Sequence, residues 1–271
     1  MKVRLHLFEF EDQSWFPDVL RAGQMDYLRF MISALGIYRP VAPLLAQELH
    51  QTNQNQLLEL GAGAGGGTET VLATLQQQPT APPSLHWLLT DLYPQPAAWA
   101  DVARRTRCTI RGYTAPVNAL AVPPDLPGFR VIFSAFHHFA PPQAEALLRN
   151  AVASRAGIGV FEGAGKSWLE IGLALTVLPV AQLLLTPFFR PFRLSRLVFT
   201  YLLPLIPLTT IWDGVVSILR LYSPAALLAL AQRADPAGHY RWQAGQLRHW
   251  WGPRVTYLLG TPRTEQEVAA H

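Results

Sequence analysis

A short apolar run, Leu57-Leu58-Glu59-Leu60, leads into Gly61-Ala62-Gly63-Ala64-Gly65-Gly66-Gly67, and a helical pattern follows from about Thr68. Strand, tight turn and helix in that order form the first unit of a nucleotide-binding α/β domain. Glycines suit such a turn because the backbone bends sharply and a ligand must approach it closely. Glu59 narrows the kind of ligand. A carboxylate at that turn repels pyrophosphate and suits a cation, or a molecule rich in hydroxyl and amino donors.

Further along are other residues with chemistry to offer. Asp91 closes the next apolar run, and a carboxylate there can accept from two hydroxyls at once. It lies about thirty positions beyond the glycines, against the roughly twenty of a dinucleotide site, and a Gln/Pro-rich loop over 76–84 accounts for the excess. Phe136-His137-His138-Phe139 follows a strand-like run. A histidine near its ordinary pKa can serve as a general base. As strand neighbours, His137 and His138 would point in opposite directions. Glu162 and Asp213 border apolar stretches, where a carboxylate needs a partner or a proton. The other histidines (His6, His50, His86, His239, His249 and His271) show no helical pairing with acids. There is one cysteine, Cys108, and no Gly-x-Ser-x-Gly elbow. No metal site and no serine nucleophile is expected.

The elements that would position these residues alternate. Strands are expected at 56–60, 85–91, 108–113, 130–136 and 158–162, with a helix over 142–154, a pattern that argues for a parallel sheet covered on both faces. Ser223-Pro224 caps a helix over 225–232, and 240–248 and 255–260 read as two closing strands joined through Trp250-Trp251-Gly252-Pro253. Residues 1–50 are helical and aromatic, an N-terminal cap over the site. The expected organisation is that cap, a core over 51–167, an apolar helical hairpin over 168–212, and the rest of the core over 213–271.

The hairpin stands out because its first arm, from Ile171 to Phe189, carries no charge. By length it could cross a membrane. Prolines at 179, 187, 204 and 207 and the polar Gln182 argue against spanning, and so would three arginines at an outer turn, Arg190, Arg193 and Arg196. The expected role is to lie in the membrane interface with those arginines among anionic headgroups, to roof a hydrophobic pocket, or to form a dimer interface. Trp168, Trp212, Trp250 and Trp251 are candidate interfacial anchors.

Composition agrees with contact to something oily. Of 271 residues 50% are hydrophobic and 15% charged, against roughly 25% charged in average soluble proteins. The net charge is +4, nearly all the cations are arginine, and no dense basic run is interleaved with aromatics, so nucleic acid is not an expected partner. Acids at Glu9, Glu11 and Asp12 occupy the place where a secretory leader would be apolar. A cytoplasmic location is expected, possible contact being with the inner face of the membrane.

The order of features over 56–162 and 223–260 resembles the class I S-adenosylmethionine (SAM)-dependent methyltransferases. That resemblance implies a Rossmann-like α/β fold with a seven-stranded mixed sheet and a closing antiparallel hairpin. It also implies that the loop of Glu59, Gly61, Ala62, Gly63 and Gly65 passes under the methionine part of SAM, the acid ordering its amino group. Asp91, followed by Leu92, would bind the ribose hydroxyls. Asn118 and Ala119 would meet the adenine, where the family usually has aspartate, and Phe136 would lie beside the methionine moiety. His137, His138, Glu162 and Asp213 are the candidates for the acceptor end. The expected activity is methyl transfer to a hydrophobic or membrane-associated small molecule. Two alternatives stay open: a non-catalytic module of the same fold that binds membrane or a partner, and a NAD(P)-dependent oxidoreductase, since Gly61, Gly63 and Gly66 also satisfy G-x-G-x-x-G.

Overall fold

A computed structural model describes residues 4–106, 109–248 and 254–263. Cys108, His249, Trp250, Trp251 and His271 lie outside the described residues. In chain order the elements are α1 (Asp18–Leu35), α2 (Ala42–Gln51), β1 (Gln56–Leu60), α3 (Gly66–Leu75), β2 (His86–Thr90), α4 (Pro96–Arg105), β3 (Thr109–Gly112) and β4 (Phe129–Phe133). They continue with α5 (Pro141–Ala153), β5 (Ile158–Glu162), α6 (Trp168–Leu185), α7 (Leu194–Leu197), α8 (Leu205–Arg220), α9 (Pro224–Ala234), β6 (Tyr240–Arg248) and β7 (Arg254–Pro262).

The strands form a seven-stranded sheet in the order β3-β2-β1-β4-β5-β7-β6. β1 to β5 pair in parallel, and β7 runs antiparallel to both β5 and β6. Neighbouring side chains on a strand leave opposite faces, so each buried strand feeds two cores. Leu57, Val131 and Phe161 join the core under α2, α3 and α4. Their neighbours Leu58, Ile132 and Val160 join the core under α5 and α9. The closing pair begins after α9, which the Ser223 side chain caps by accepting from Ala226 N–H at 3.2 Å.

The apolar insertion is helical, but α8 runs on to Arg220, so Asp213 lies inside a helix rather than at the end of a hairpin. Trp168–Phe188 is long and apolar enough to cross a membrane, by length and composition, and only 17% of it is buried. α6 packs against α8 and leaves Trp168 (74% exposed), Leu169, Leu184 and Phe188 outside. The arginine expectation needs correction. Arg196 is 1% exposed and donates to Asp26 at 2.5 Å and to the Phe189 carbonyl at 2.7 Å. Arg193 Nε stands 3.0 Å from the same Asp26 carboxylate. The buried acid of α1 takes two of the three arginines, and Arg190 alone of them is exposed.

Candidate active site

A cavity of about 430 Å³ opens where the carboxyl ends of β1, β2 and β4 meet the N-terminal segment and α1. That size falls in the roughly 300–1,000 Å³ range of small-molecule sites. It is also the position the topology favours, because the crossovers leave β1 in opposite directions and open a crevice there.

The glycine turn forms its floor. Gly61, Gly63 and Gly65 have φ of 67°, 51° and 83°. Only glycine takes these angles at no steric cost, and a Cβ on Gly63 would also come within 3.1 Å of Met25 Sδ. Asp91 follows β2 and holds the turn in place. Its Oδ2 accepts from Gly63 N–H at 2.7 Å and its Oδ1 from Tyr93 N–H at 2.8 Å. Burial pushes the Asp91 carboxyl up, against these two donors. Trp99 Nε1 donates to the Gly63 carbonyl at 2.8 Å.

Glu59 is 1% exposed. Its Oε2 accepts from Trp87 Nε1 at 2.9 Å and from the Thr68 hydroxyl. Burial outweighs both hydrogen bonds and raises the carboxyl to about 8. Near neutral pH Glu59 is therefore mostly a neutral acid, and a cationic ligand beside it would favour its ionised form.

Of the expected site residues, Glu59, Gly61, Ala62, Gly63, Asp91, Leu92, Asn118, Ala119 and His138 line the cavity. Asn118 Oδ1 already accepts from Leu120 N–H at 2.9 Å, so the amide offers the cavity mainly donors. Five expected site residues do not line it. Gly65 is the N-cap of α3 and its open side faces Val102. Phe136 is fully buried under the sheet, packed on Tyr222 at 5.8 Å between ring centroids. Asp213 accepts from Phe10 N–H at 2.7 Å, Glu11 N–H at 3.3 Å and Gln24 Nε2 at 3.0 Å, and thus anchors the N-terminal segment. Burial raises its carboxyl to about 7. His137 and Glu162 stand behind the wall as a pair, with Nδ1 to Oε2 at 2.8 Å and His137 N–H to Oε1 at 2.9 Å.

The two histidines are not strand neighbours. β4 stops at Phe133, Ser134 takes a φ of 47°, and the chain winds into a 3-10 turn over Phe136–His138. The rings then face one another, 4.3 Å between centroids. Residues not singled out from sequence meet them there. His138 Nδ1 is 2.8 Å from Asp12 and 3.1 Å from Glu9, and its Nε2 is 3.2 Å from Glu11. Arg220 Nη1 bridges Asp12 at 2.7 Å and Glu9 at 3.2 Å. Burial works against a charge on His138, yet the Glu9 carboxylate and the hydrogen bonds to Asp12 and Glu11 hold its pKa well above the usual value. A ring that keeps its proton is a donor, which corrects the expectation of a free base. The acid cluster at 9–12 was visible in the sequence as a departure from a leader, but nothing local marked it as the wall of a site.

No protein-family model matches this sequence, and no curated protein matches it. Solved structures do. The plantazolicin methyltransferase BpumL, in complex with pentazolic desmethylPZN analog and SAH, superposes with a TM-score of 0.50 at 10% identity, over 88% of this chain and 86% of that one. Human N-acetylserotonin methyltransferase in complex with SAM gives 0.45 at 14% identity, over 87% of this chain. This chain spans 56% of the length of that human enzyme. A Rhodobacter sphaeroides chain provisionally described as a Zn-dependent alcohol dehydrogenase gives 0.44 at 13% identity, over 84% and 97% of the two chains. At such identities the likeness concerns the fold. Together with the strand order, in which β7 enters antiparallel between β5 and β6, the BpumL superposition identifies the Rossmann-like class I methyltransferase fold.

Proposed function

We propose that this chain transfers a methyl group from SAM to a hydrophobic or membrane-associated small molecule. The observation that carries the reading is the Asp91 carboxylate at the cavity wall, tied to a turn in which Gly61, Gly63 and Gly65 have positive φ. Each Asp91 oxygen accepts one backbone N–H and keeps a lone pair, which suits two neighbouring ribose hydroxyls. Glu59 on the floor suits a cationic amino acid moiety, and the turn has no phosphate-binding lysine. The residues therefore fit SAM. The antiparallel β7 argues against the nicotinamide alternative, whose dinucleotide-binding sheet is built from parallel βαβ units.

Asp91 would hold the ribose, Gly61 to Gly63 would lie against the methionine chain, and Asn118 and Ala119 would border the adenine. Bound SAM supplies an activated methyl group on a sulfonium. The work left to the protein is proximity and orientation. Met25, Leu28 and Ile32 of α1 give the cavity an apolar wall that keeps water from the reacting centre. His138 and Arg220 present donors at the acceptor end.

The acceptor class follows from the insertion. α6 is apolar on every face, and a helix of that kind belongs in a core or in lipid. α6 packs on α8 and accepts from Tyr27 of α1 at the Leu178 carbonyl, and most of its length is left uncovered. The reading is a cytoplasmic protein resting on the inner face of a membrane, with α6 and the exposed Leu202 and Leu208 in the lipid interface.

The test is incubation with methyl-labelled SAM and a lipid extract, followed by solvent partition. Label passing into the organic phase with wild type, and not with Asp91→Ala, supports the reading. Label confined to the aqueous phase, in protein that neither floats with liposomes nor binds apolar ligands, removes the acceptor class.

A further inference from the structure

We propose that Glu9, His137 and His138 bind one divalent first-row metal ion of the zinc or ferrous type, in the wall of the cavity and with a coordination position facing it. Their donor atoms come from two segments 125 residues or more apart in the chain and all lie within 4.8 Å of one another.

The case begins with the second nitrogen of His137. Glu162 accepts from the His137 backbone N–H through one oxygen and meets ring Nδ1 through the other, at 2.8 Å. A carboxylate only accepts, so Nδ1 carries a proton, and in the neutral ring Nε2 presents a lone pair. The residue is 4% exposed, and among the described residues Nε2 has no hydrogen-bond partner. It points at Glu9 Oε1, another acceptor, 3.9 Å away. Arg220 Nη1 and the Ser217 hydroxyl meet that oxygen at 3.2 and 3.3 Å, whereas Glu9 Oε2 and His137 Nε2 are buried without a hydrogen-bond partner among the described residues, a cost that a cation between them would remove. The spacing suits one: ligands each about 2.0–2.2 Å from an ion stand roughly 3–4 Å apart.

The other groups complete a coordination shell. His138 Nδ1 is 3.1 Å from Glu9 Oε2, the other oxygen of that carboxylate, and an ion bound there would displace the proton that His138 otherwise keeps. Asp12 Oδ1, 2.8 Å from that nitrogen, is within reach as a fourth donor. Carboxylate to histidine to metal is the arrangement that fixes a ligand's tautomer, and Glu162 stands in the carboxylate's place. Arg220 holds Glu9 and Asp12 together and offsets part of their charge. Two imidazoles with a carboxylate favour zinc or ferrous iron over magnesium or calcium, which prefer all-oxygen shells. His138 and Asp12 line the cavity while His137 does not, so the open position faces the acceptor end. A metal there would bind an oxygen or nitrogen of the molecule in the cavity. The site is independent of the methyl-transfer reading: protein with no affinity for SAM would still bind the ion.

The experiment uses the full, untagged chain, stripped with chelator, desalted and titrated with Co²⁺ by visible absorption and with Zn²⁺ against a chromophoric chelator. Expected are one equivalent of metal, a d–d spectrum for Co²⁺, and a loss of both in Glu9→Gln and His138→Gln. Glu162→Gln leaves every ligand in place and should weaken binding by about 10- to 100-fold. Should Glu9→Gln fail to fold, His138→Gln, at the partly exposed rim, decides. Folded wild type that takes up no stoichiometric metal overturns the proposal. So does uptake that His138→Gln leaves unchanged, since the ion would then sit elsewhere.

Discussion

The backbone N–H of Gly63 donates to Asp91 Oδ2 at 2.7 Å, so the glycine turn after β1 and the end of β2 form one unit. The turn is thereby held by the chain's own bonds in the shape a ligand would meet. Hydrogen bonds to a charged group are worth about 1.5–3 kcal/mol each, and Asp91 accepts two from backbone. Asp91→Ala should lower the unfolding free energy by about that amount and abolish SAM binding. Asp91→Asn keeps one acceptor and should fall between. Denaturant melts beside binding isotherms check both.

Glu59 was legible in the sequence as an acid at a turn, but its protonation was not. Burial raises it from about 4.5 to about 8, against the hydrogen bonds from Trp87 and Thr68. The folded state therefore holds a proton that the unfolded state has released. Stability from this group is full below the unfolded value and is lost as pH rises to about 8, at up to about 1.4 kcal/mol per pH unit. Glu59→Gln, which mimics the protonated acid, should remove most of that slope. Melting curves of both proteins between pH 5 and pH 8.5 measure it; equal slopes would place the proton elsewhere.

Strand positions were the most legible part. β1, β5 and β6 begin and end where apolar patterning puts them, whereas the hydrogen bond that joins Asp91 to the glycine turn had no local sign. The 3-10 turn at His137 and His138 was hidden, because it depends on the positive φ of Ser134, which no local residue demands. The carboxylates facing those histidines were hidden for a second reason. Glu9 and Asp12 are some 125 residues away, and contacts that exist only in the fold, those with Arg220 and Asp213 among them, draw that segment in. α4 and its Trp99, which braces Gly63, carried too weak a pattern to be singled out.

The arginines of the insertion illustrate the same limit. Composition made them surface charges, whereas Arg196 and Asp26 are each 1% exposed and paired at 2.5 Å. Breaking a buried pair strands the remaining charge, which costs about 3–5 kcal/mol. Arg196→Ala leaves Arg193 beside Asp26 at 3.0 Å, so it should destabilise by less than that, about 2–3 kcal/mol, and loosen α7 from α1. Arg190→Ala, at an exposed site, should be near neutral. Chemical denaturation of the two variants tests the contrast.

For the membrane reading, Leu184 (68% exposed) and Leu169 (72%) are useful because neither supports the core. Leu169→Asp with Leu184→Asp should abolish flotation with anionic liposomes and leave the melting temperature nearly unchanged. If wild type stays at the bottom of the gradient and elutes as a dimer that the double variant dissolves, the apolar face meets a second copy instead.

The most direct test of the central claim is calorimetric titration of SAM and of its demethylated product into the purified protein, with Asp91→Ala alongside. The expected result is saturable one-site binding of both ligands to wild type and none to the variant. Folded wild-type protein that takes up neither ligand would contradict the assignment of this cavity as a methyl-donor site.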